Sequence, residues 1–500
     1  MLFNSFEYLL FLPIVFAIYW LLRNHLKLQN LFVVLASYVF YGWWDWRFLI
    51  LIAFTSLCSY ASGILIERGK QKHGEGDDAS LTKNIKNING AKAWMITNIV
   101  INLGILAVFK YYDFFVSEFG ALFGIGTESL LLRIILPVGI SFYTFQALSY
   151  SIDVYRGNIK PTKDIVAFFA FISFFPQLVA GPIERATNLL PQFLQKRTFS
   201  YEQGVDGMRQ ILWGLFKKIV VADNCAIFVN QVWATYDTQS GSTLLLAAIL
   251  FTFQIYGDFS GYSDIAIGTA KLFGIKLMRN FNNPYFSRDI AEFWRRWHIS
   301  LTSWFRDYVY IPLGGSRPNV VYGVRCTVES KKKLIVVRNV MVVFLICGLW
   351  HGANWTYFVW GLYNVLLFLP LILLGKSKRY KDSPLVWKQL PQMLLTFVLV
   401  TIGWIIFRAP SVTDAWDVVC NICSGTLWSA PYILPMQEML FMAIGILVMM
   451  TVEWLQRNED HGLVLNRLKG RWVRYIIYIM LIMMILWKGD SGDAFIYFQF

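Results

Sequence analysis

The sequence is poor in charge. Only 15% of its 500 residues are Asp, Glu, Lys or Arg, against roughly a quarter in soluble domains. Acidic residues are the scarcer sign, 31 against 45 basic ones. Hydrophobic residues make up 56% of the chain before glycine is counted, where soluble domains reach roughly 45–50% with glycine included. That excludes intrinsic disorder, which needs low hydrophobicity. It also argues against a soluble enzyme, since a compact core of this size cannot hide so much apolar surface. Lipid is the expected solvent for most of the chain.

Cysteine and histidine are scarce too, at six and five. Cys420-Asn-Ile-Cys423 has the spacing of half a zinc site, but no second ligand pair accompanies it, and the other cysteines are scattered. No metal is expected. Walker A, Gly-x-Ser-x-Gly and Rossmann glycine patterns are missing, so nothing energises transport with ATP. Gly489-Asp-Ser-Gly492 is similar to the nucleophile block of secreted esterases, with no room after it for such a fold. There is no internal repeat or long flexible linker. One integral domain is expected over 1–500.

What is present is a series of stretches free of Asp, Glu, Lys and Arg: 8–22, 28–44, 48–66, 93–109, 134–152, 165–183, 238–257, 339–375, 389–407, 439–452 and 475–487. Many approach the ~20 residues that cross ~30 Å of hydrocarbon, and 339–375 is long enough for two crossings. The reading is an all-α polytopic bundle of about eleven or twelve membrane elements, without the alternation of a barrel. Met1-Leu-Phe-Asn-Ser-Phe-Glu lacks a positive n-region, so the first segment reads as a retained helix with its N-terminus outside.

Basic residues concentrate in the loops 23–27, 67–92, 376–388 and 456–474. The positive-inside bias places these in the cytoplasm, with 410–438 and the tail 488–500 outside. The excess of +14 then reads largely as topology. No loop interleaves bases with aromatics, so nucleic acid is not an expected partner. Charge is dense between 184 and 338, and 165–183, with two prolines near its end, and 258–315 read as broken or re-entrant. Irregular backbone at membrane depth survives only inside protein or along a wet cavity, which makes this the expected working region.

His25, His73 and His461 lie in charged loops and read as solvated. His351 lies in Gly348-Leu-Trp-His-Gly-Ala-Asn-Trp355, inside a charge-free run. An ionisable group there is a functional candidate, able to take a proton from a hydroxyl or thiol. The Gly348/Gly352 pair equally suits plain helix packing, with His351 bonded to a neighbouring helix. His298 lies in Phe293-Trp-Arg-Arg-Trp-His-Ile-Ser-Leu-Thr-Ser-Trp-Phe-Arg-Asp-Tyr308. At helical spacing Phe293, Trp297, Leu301, Trp304 and Tyr308 make one aromatic stripe, and Glu292, Arg296, Ser303 and Asp307 a polar one. The stretch reads either as an interfacial amphipathic helix or as the mouth of a cavity. In the second reading Arg295, Arg296 and Arg306 meet an anionic donor such as a CoA phosphate. Asp258 and Asp264 follow the 238–257 span and suit either orienting a histidine or hydroxyl or capping the next helix. The tail residues Ala-Phe-Ile-Tyr-Phe-Gln-Phe (494–500) either pack back on the bundle or enter a cavity from the outer face, where Tyr497 could accept an acyl group.

Together these residues resemble a known family, the membrane-bound O-acyltransferases (MBOATs), in the bacterial branch that serves cell-envelope polysaccharide acetylation. The resemblance runs over nearly the whole chain. It starts at Met1-Leu-Phe-Asn-Ser and takes in Pro137-Val-Gly-Ile-Ser-Phe-Tyr-Thr-Phe145 and Phe175-Pro-Gln-Leu-Val-Ala-Gly-Pro-Ile183. It continues through 256–315 and Trp350, His351 and Gly352 with Trp355. It implies a funnel or tunnel through the bundle, variable spans over 1–133, a catalytic core over about 134–375 and C-terminal spans over 376–487. His351 matches the family's catalytic histidine and His298 its second one. The resemblance further implies a cytoplasmic thioester donor such as acetyl-CoA, with no bound cofactor. It also implies the bacterial inner membrane as location and a separate extracytoplasmic acetyltransferase of the SGNH type as partner. A related teichoic-acid D-alanylation system uses a short membrane peptide with an acyl-bearing tyrosine, and Tyr497 looks like that peptide fused on.

The sequence reading is therefore a membrane O-acyltransferase that passes an acetyl group outward to a polysaccharide such as alginate. His351 is its expected base, His298 polarises or positions the thioester carbonyl, and Tyr497 is a candidate relay. Trp294, Arg295, Arg296, Asp307, Trp350, Asn354, Asp258 and Asp264 are the expected substrate-binding residues. The rival readings are a non-catalytic scaffold of a polysaccharide-modifying complex and a saccharide exporter with the histidines as a proton relay.

Overall fold

In lipid every backbone polar group must be satisfied within its own segment, and the computed structural model is correspondingly helical. It describes residues 1–71, 81–315, 320–321, 324–325, 329–381, 383–465, 470–488 and 495. Among them, seven helices are long and apolar enough to cross a bilayer: Phe48–Lys70, Gly90–Phe123, Gly241–Leu272, Lys333–His351, Trp355–Leu373, Trp387–Arg408 and Met436–Leu455. Phe6–Leu21 and Leu26–Gly42 are shorter apolar helices at the first two expected spans, and Arg471–Lys488 occupies the last. The segment 165–183 is broken, as its sequence suggests: the helix Ile165–Ser173 stops at Phe174, before the one-turn helix Phe175–Leu178. Leu21, Leu122 and Leu447 are 65–80% exposed on their helices, a surface suited to acyl chains. Extended pairing among the described residues amounts to two two-residue segments, Val320–Val321 against Val324–Arg325.

The contacts cluster in two units, each with its own interior. One comprises Met1–Met208 with Ala266–Met278. Here Tyr8 Oη and Thr269 Oγ1 share a hydrogen bond of 2.7 Å, and Tyr19 Oη donates to the Phe273 carbonyl at 2.7 Å. Arg197 is buried, donates to Gln29 Oε1 and Asn30 Oδ1, and lies over the Tyr19 ring. The other unit comprises Arg209–Ile265 with Arg279–Phe500 and contains both candidate histidines.

In this second unit the run 339–375 divides into two helices, Glu329–His351 and Trp355–Leu373. Asn354 caps the second, its side-chain oxygen accepting from Thr356 N at 2.9 Å, while its Nδ2 donates to the Pro410 carbonyl. Gly348 and Gly352 both face Tyr357. A β-carbon on the first would strike the Tyr357 carbonyl and on the second the Tyr357 ring. The small-residue pair thus does hold two helices in contact, and it sets the position of His351 between its members. Gly348→Ala is expected to overpack this seam and cost about 1–3 kcal/mol. A lowered Tm of the detergent-solubilised protein would register it, and an unchanged Tm would show the seam to be loose.

Three expectations need correction here. The helix Gly241–Leu272 runs straight through Asp258 and Asp264, so neither ends a span nor caps a helix. Phe293–Tyr308 is not one continuous helix: Ile290–Arg296 and Ile299–Phe305 are separate seven-residue helices. Nor does it lie as an amphipathic helix at an interface, since Phe293, Trp297, Leu301 and Trp304 are all buried in protein. His461 is also buried, at 5% exposure, and its Nδ1 accepts from Leu463 N. His25 is exposed as expected, and His73 lies outside the described residues.

Candidate active site

The break at Trp297–His298 is built by tertiary hydrogen bonds rather than by a breaker residue. Asp289 caps the first short helix by accepting from Glu292 N at 2.7 Å. Trp297 then turns extended, and His298 takes a left-handed conformation, φ 43° and ψ 54°. Side chains other than glycine avoid that region, at about 1–2 kcal/mol per residue, so its surroundings must hold it. The neighbouring strand-like segment does so from both sides of the break: Asn282 N donates to the Arg296 carbonyl and Ile299 N to the Asn280 carbonyl, at 2.9 and 2.8 Å. Strained backbone of this kind concentrates at functional sites.

His298 is 1% exposed. Its Nδ1 lies 3.1 Å from Asn280 Oδ1 and 3.4 Å from Ser300 Oγ. Burial drives its imidazole far below the ordinary histidine value, so the ring is neutral at physiological pH. Phe259 meets it edge-on at 4.6 Å and Trp350 at 6.1 Å between ring centres. Trp350 in turn lies 4.9 Å from His351. His351 ends its helix and is walled by Trp360 at 5.3 Å and Phe407 at 5.2 Å, both nearly perpendicular to it. The two histidines, 53 positions apart in sequence, therefore both contact one tryptophan ring. Trp294, Trp297 and Trp404 extend this aromatic wall, and Trp294 Nε1 donates to Asn364 Oδ1 at 3.1 Å.

Beneath the Phe259 side lies a buried ionic layer. The residues Phe216–Asp223 form a wide π-helical stretch, a local underwinding common at functional sites. Gly214 and Gly261 let it approach the Gly241–Leu272 helix, where a β-carbon on Gly214 would sit 2.6 Å from the Gly261 carbonyl. Lys218 Nζ then bridges Asp223 and Asp258, each at 2.7 Å. Lys217 reaches Asp264 at 2.6 Å, and Gln210 Nε2 donates to the same carboxylate. Tyr256 donates to Glu453 at 2.7 Å.

The remaining expected binding residues are engaged elsewhere. Arg296 and the buried Arg288 both pair with Glu292, at 3.0 and 2.8 Å. Arg295 donates to the Ser377 carbonyl, Asp307 accepts from its exposed neighbour Arg306, and Asn354 serves as a helix cap. Tyr497 lies outside the described residues. Phe495 of the same tail is described, buried at 2% exposure, with its ring 4.9 Å from Tyr262 and 5.8 Å from Phe259. The tail therefore reaches the ring that touches His298. Asn280, Ser263, Ser300, Trp360, Phe407 and the two lysines are participants that no local motif announces.

Both histidines thus lie in ring contact with Trp350. The model of the MBOAT, membrane-bound O-acyltransferase family, matches residues 159–409, which include both histidines. The chain belongs to the membrane-bound O-acyltransferases. It is 38% identical to the protein named "Probable alginate O-acetylase AlgI" of Pseudomonas aeruginosa, over 86% of this chain and 76% of that one. It is 33% identical to the "Peptidoglycan O-acetyltransferase" of Helicobacter pylori, over 82% and 77%. It is 30% identical to the "Teichoic acid D-alanyltransferase" of Bacillus subtilis, over 54% and 68%. This MBOAT protein is an acyltransferase and a multi-pass bacterial membrane protein.

Proposed function

We propose that the protein passes an acetyl group from a cytoplasmic thioester, acetyl-CoA, across the inner membrane for O-acetylation of an extracytoplasmic polysaccharide such as alginate. His351 takes the proton of the attacking hydroxyl. The hydroxyl oxygen bonds to the acyl carbon, the carbon–sulfur bond breaks, and the proton passes from His351 to the leaving thiolate. The observation that carries the reading is that His351 and His298 both lie against the Trp350 ring, among further aromatic rings. Such walls keep out water that would hydrolyse the acyl group. The names of the relatives support polysaccharide acetylation, with alginate as the first candidate polymer.

Tyr497 is the proposed intermediate acceptor. Burial of Phe495 against Tyr262 and Phe259 supports this, because it brings the tail to the layer of His298. An extracytoplasmic acetyltransferase of the SGNH type then receives the group. The test is incubation of the purified protein with acetyl-labelled acetyl-CoA, followed by peptide mass spectrometry. Label on Tyr497, lost in Tyr497→Phe, is the expected result. Label that persists in Tyr497→Phe, with polymer acetylation unchanged in cells, would remove the relay. Acetylation that also survives loss of His351 would favour a non-catalytic scaffold.

A further inference from the structure

His298 has two ring nitrogens, and which of them carries the proton decides what it can do for a substrate. The surroundings of Nδ1 answer the question. Ser300 N, which can only donate, points at Asn280 Oδ1 at 3.3 Å, and Ser300 Oγ donates to the same oxygen at 2.9 Å. The Asn280 amide nitrogen faces the other way and donates to Ser263 Oγ at 3.0 Å. Flipping this amide would set its NH2 against the Ser300 N–H, so the oxygen must face His298. Ser300 has already spent its hydroxyl proton on Asn280. Both neighbours of Nδ1, at 3.1 and 3.4 Å, are therefore acceptors, and Nδ1 must carry the hydrogen.

We propose that Asn280 is a positioning residue that locks His298 in the Nδ1–H tautomer, so that Nε2 presents a lone pair to the substrate. This rests on the proposed acyl transfer for its chemistry and sharpens it. A nitrogen of this kind has no hydrogen to offer a thioester carbonyl, which sets aside the expectation that His298 polarises it. It can take a hydrogen bond from an N–H or O–H of the substrate other than the attacking hydroxyl, whose single proton goes to His351, and so orients the substrate as a hydrogen-bond acceptor. Ser263, Asn280 and Ser300 come from three separate parts of the chain, the Gly241–Leu272 helix, the segment after it and the second short helix; Ser263 holds the Asn280 amide, and Asn280 and Ser300 meet one imidazole nitrogen. Such orientation of a histidine through its far nitrogen is a recurrent device where the near one must react.

The charged and titratable groups on the elements around His298 are few. Asp258 and Asp264 of the Gly241–Leu272 helix are held by Lys218 and Lys217, and Arg279 adjoins Asn280. Arg295 and Arg296 lie on the preceding short helix, where Glu292 takes up Arg296, and His351 lies beyond Trp350. Nδ1 is within hydrogen-bond reach of Asn280 and Ser300, so exchanging the amide for a carboxylate places the one new charge directly on the ring.

The decisive experiment is nitrogen-15 NMR of the full-length protein, labelled at histidine and held in lipid bilayers. With five histidines, the His298 signals are assigned by their loss in His298→Gln. The expected spectrum at neutral pH has a protonated Nδ1 and an unprotonated Nε2. Asn280→Asp should keep the Nδ1 proton and raise the pH at which the ring becomes doubly protonated by at least about one unit, since a carboxylate favours the imidazolium. Asn280→Leu, of similar size, should lose the tautomer preference. A proton on Nε2 of the wild-type ring, or the same titration in Asn280→Asp as in wild type, would overturn the assignment. The NMR result stands independently of activity: a correct tautomer in a protein that transfers no acetyl group would sink the functional reading and leave this one intact.

Discussion

Replacing His351 by alanine is expected to stop extracytoplasmic acetylation in cells while the protein still accumulates in the membrane. A positioned general base contributes roughly 10²–10⁴-fold to a reaction, and the rings packed against His351 include Trp350, Trp360 and Phe407. None of these takes a proton at neutral pH. The variant should remain folded. Its backbone sits at the end of a helix fixed by the Gly348 and Gly352 contacts with Tyr357, and these do not involve the imidazole. Polymer-bound acetate in the culture, normalised to membrane-inserted protein, reads the effect. A residual level above about a tenth of wild type would be too high for a removed base.

The second large effect is on stability. Lys218→Met is expected to destabilise the fold by about 3–5 kcal/mol, because removing one partner leaves an uncompensated buried charge. Two carboxylates share this ammonium: Asp223 and Asp258, with side chains 2% and 3% exposed. Whole-domain stabilities are only about 5–15 kcal/mol, so the variant should lose much of its folded yield. The cost comes from the orphaned charges rather than from the lost attraction, which gives the test its control. Neutralising both partners as well, in Lys218→Met with Asp223→Asn and Asp258→Asn, should recover a large part of the loss. Thermal unfolding in detergent measures both. By contrast Arg306→Met, which breaks an ion pair whose arginine is 63% exposed, should change stability by less than about 1 kcal/mol. Equal losses in Lys218→Met and Arg306→Met would mean that the inner pair is not buried in the folded protein.

The helical class was legible because the charge-free runs are long, and lipid leaves the backbone little choice. His351 stood out for the same reason: a titratable group inside such a run is conspicuous. The break at His298 was not legible. Phe293, Trp297, Leu301, Trp304 and Tyr308 keep helical spacing across it, with no glycine or proline between them. What bends the chain there is hydrogen bonding to 280–282, a segment that only tertiary structure brings alongside. Asp258 and Asp264 misled for a related reason. Their lysines lie about 40 positions earlier, so a paired helix-interior carboxylate looked like a helix end. Asn280 carried no signal at all, since an asparagine in a loop is ordinary until its amide is found on an imidazole nitrogen. His461 sits among charged residues in sequence and still packs inside.

The central claim is that this chain itself transfers an acyl group through His351. The most direct measurement is the initial rate of thiol release from acetyl-CoA by the purified protein in lipid vesicles, with ester-bound acetate quantified in parallel. Wild-type protein and His351→Gln, which keeps a side chain of similar length, are compared at equal insertion and equal helix content. Equal amounts of thiol and ester from wild type, and a rate at least about 100-fold lower from His351→Gln, are the predicted results. Matching rates from the two proteins, or thiol released without ester, would contradict the account.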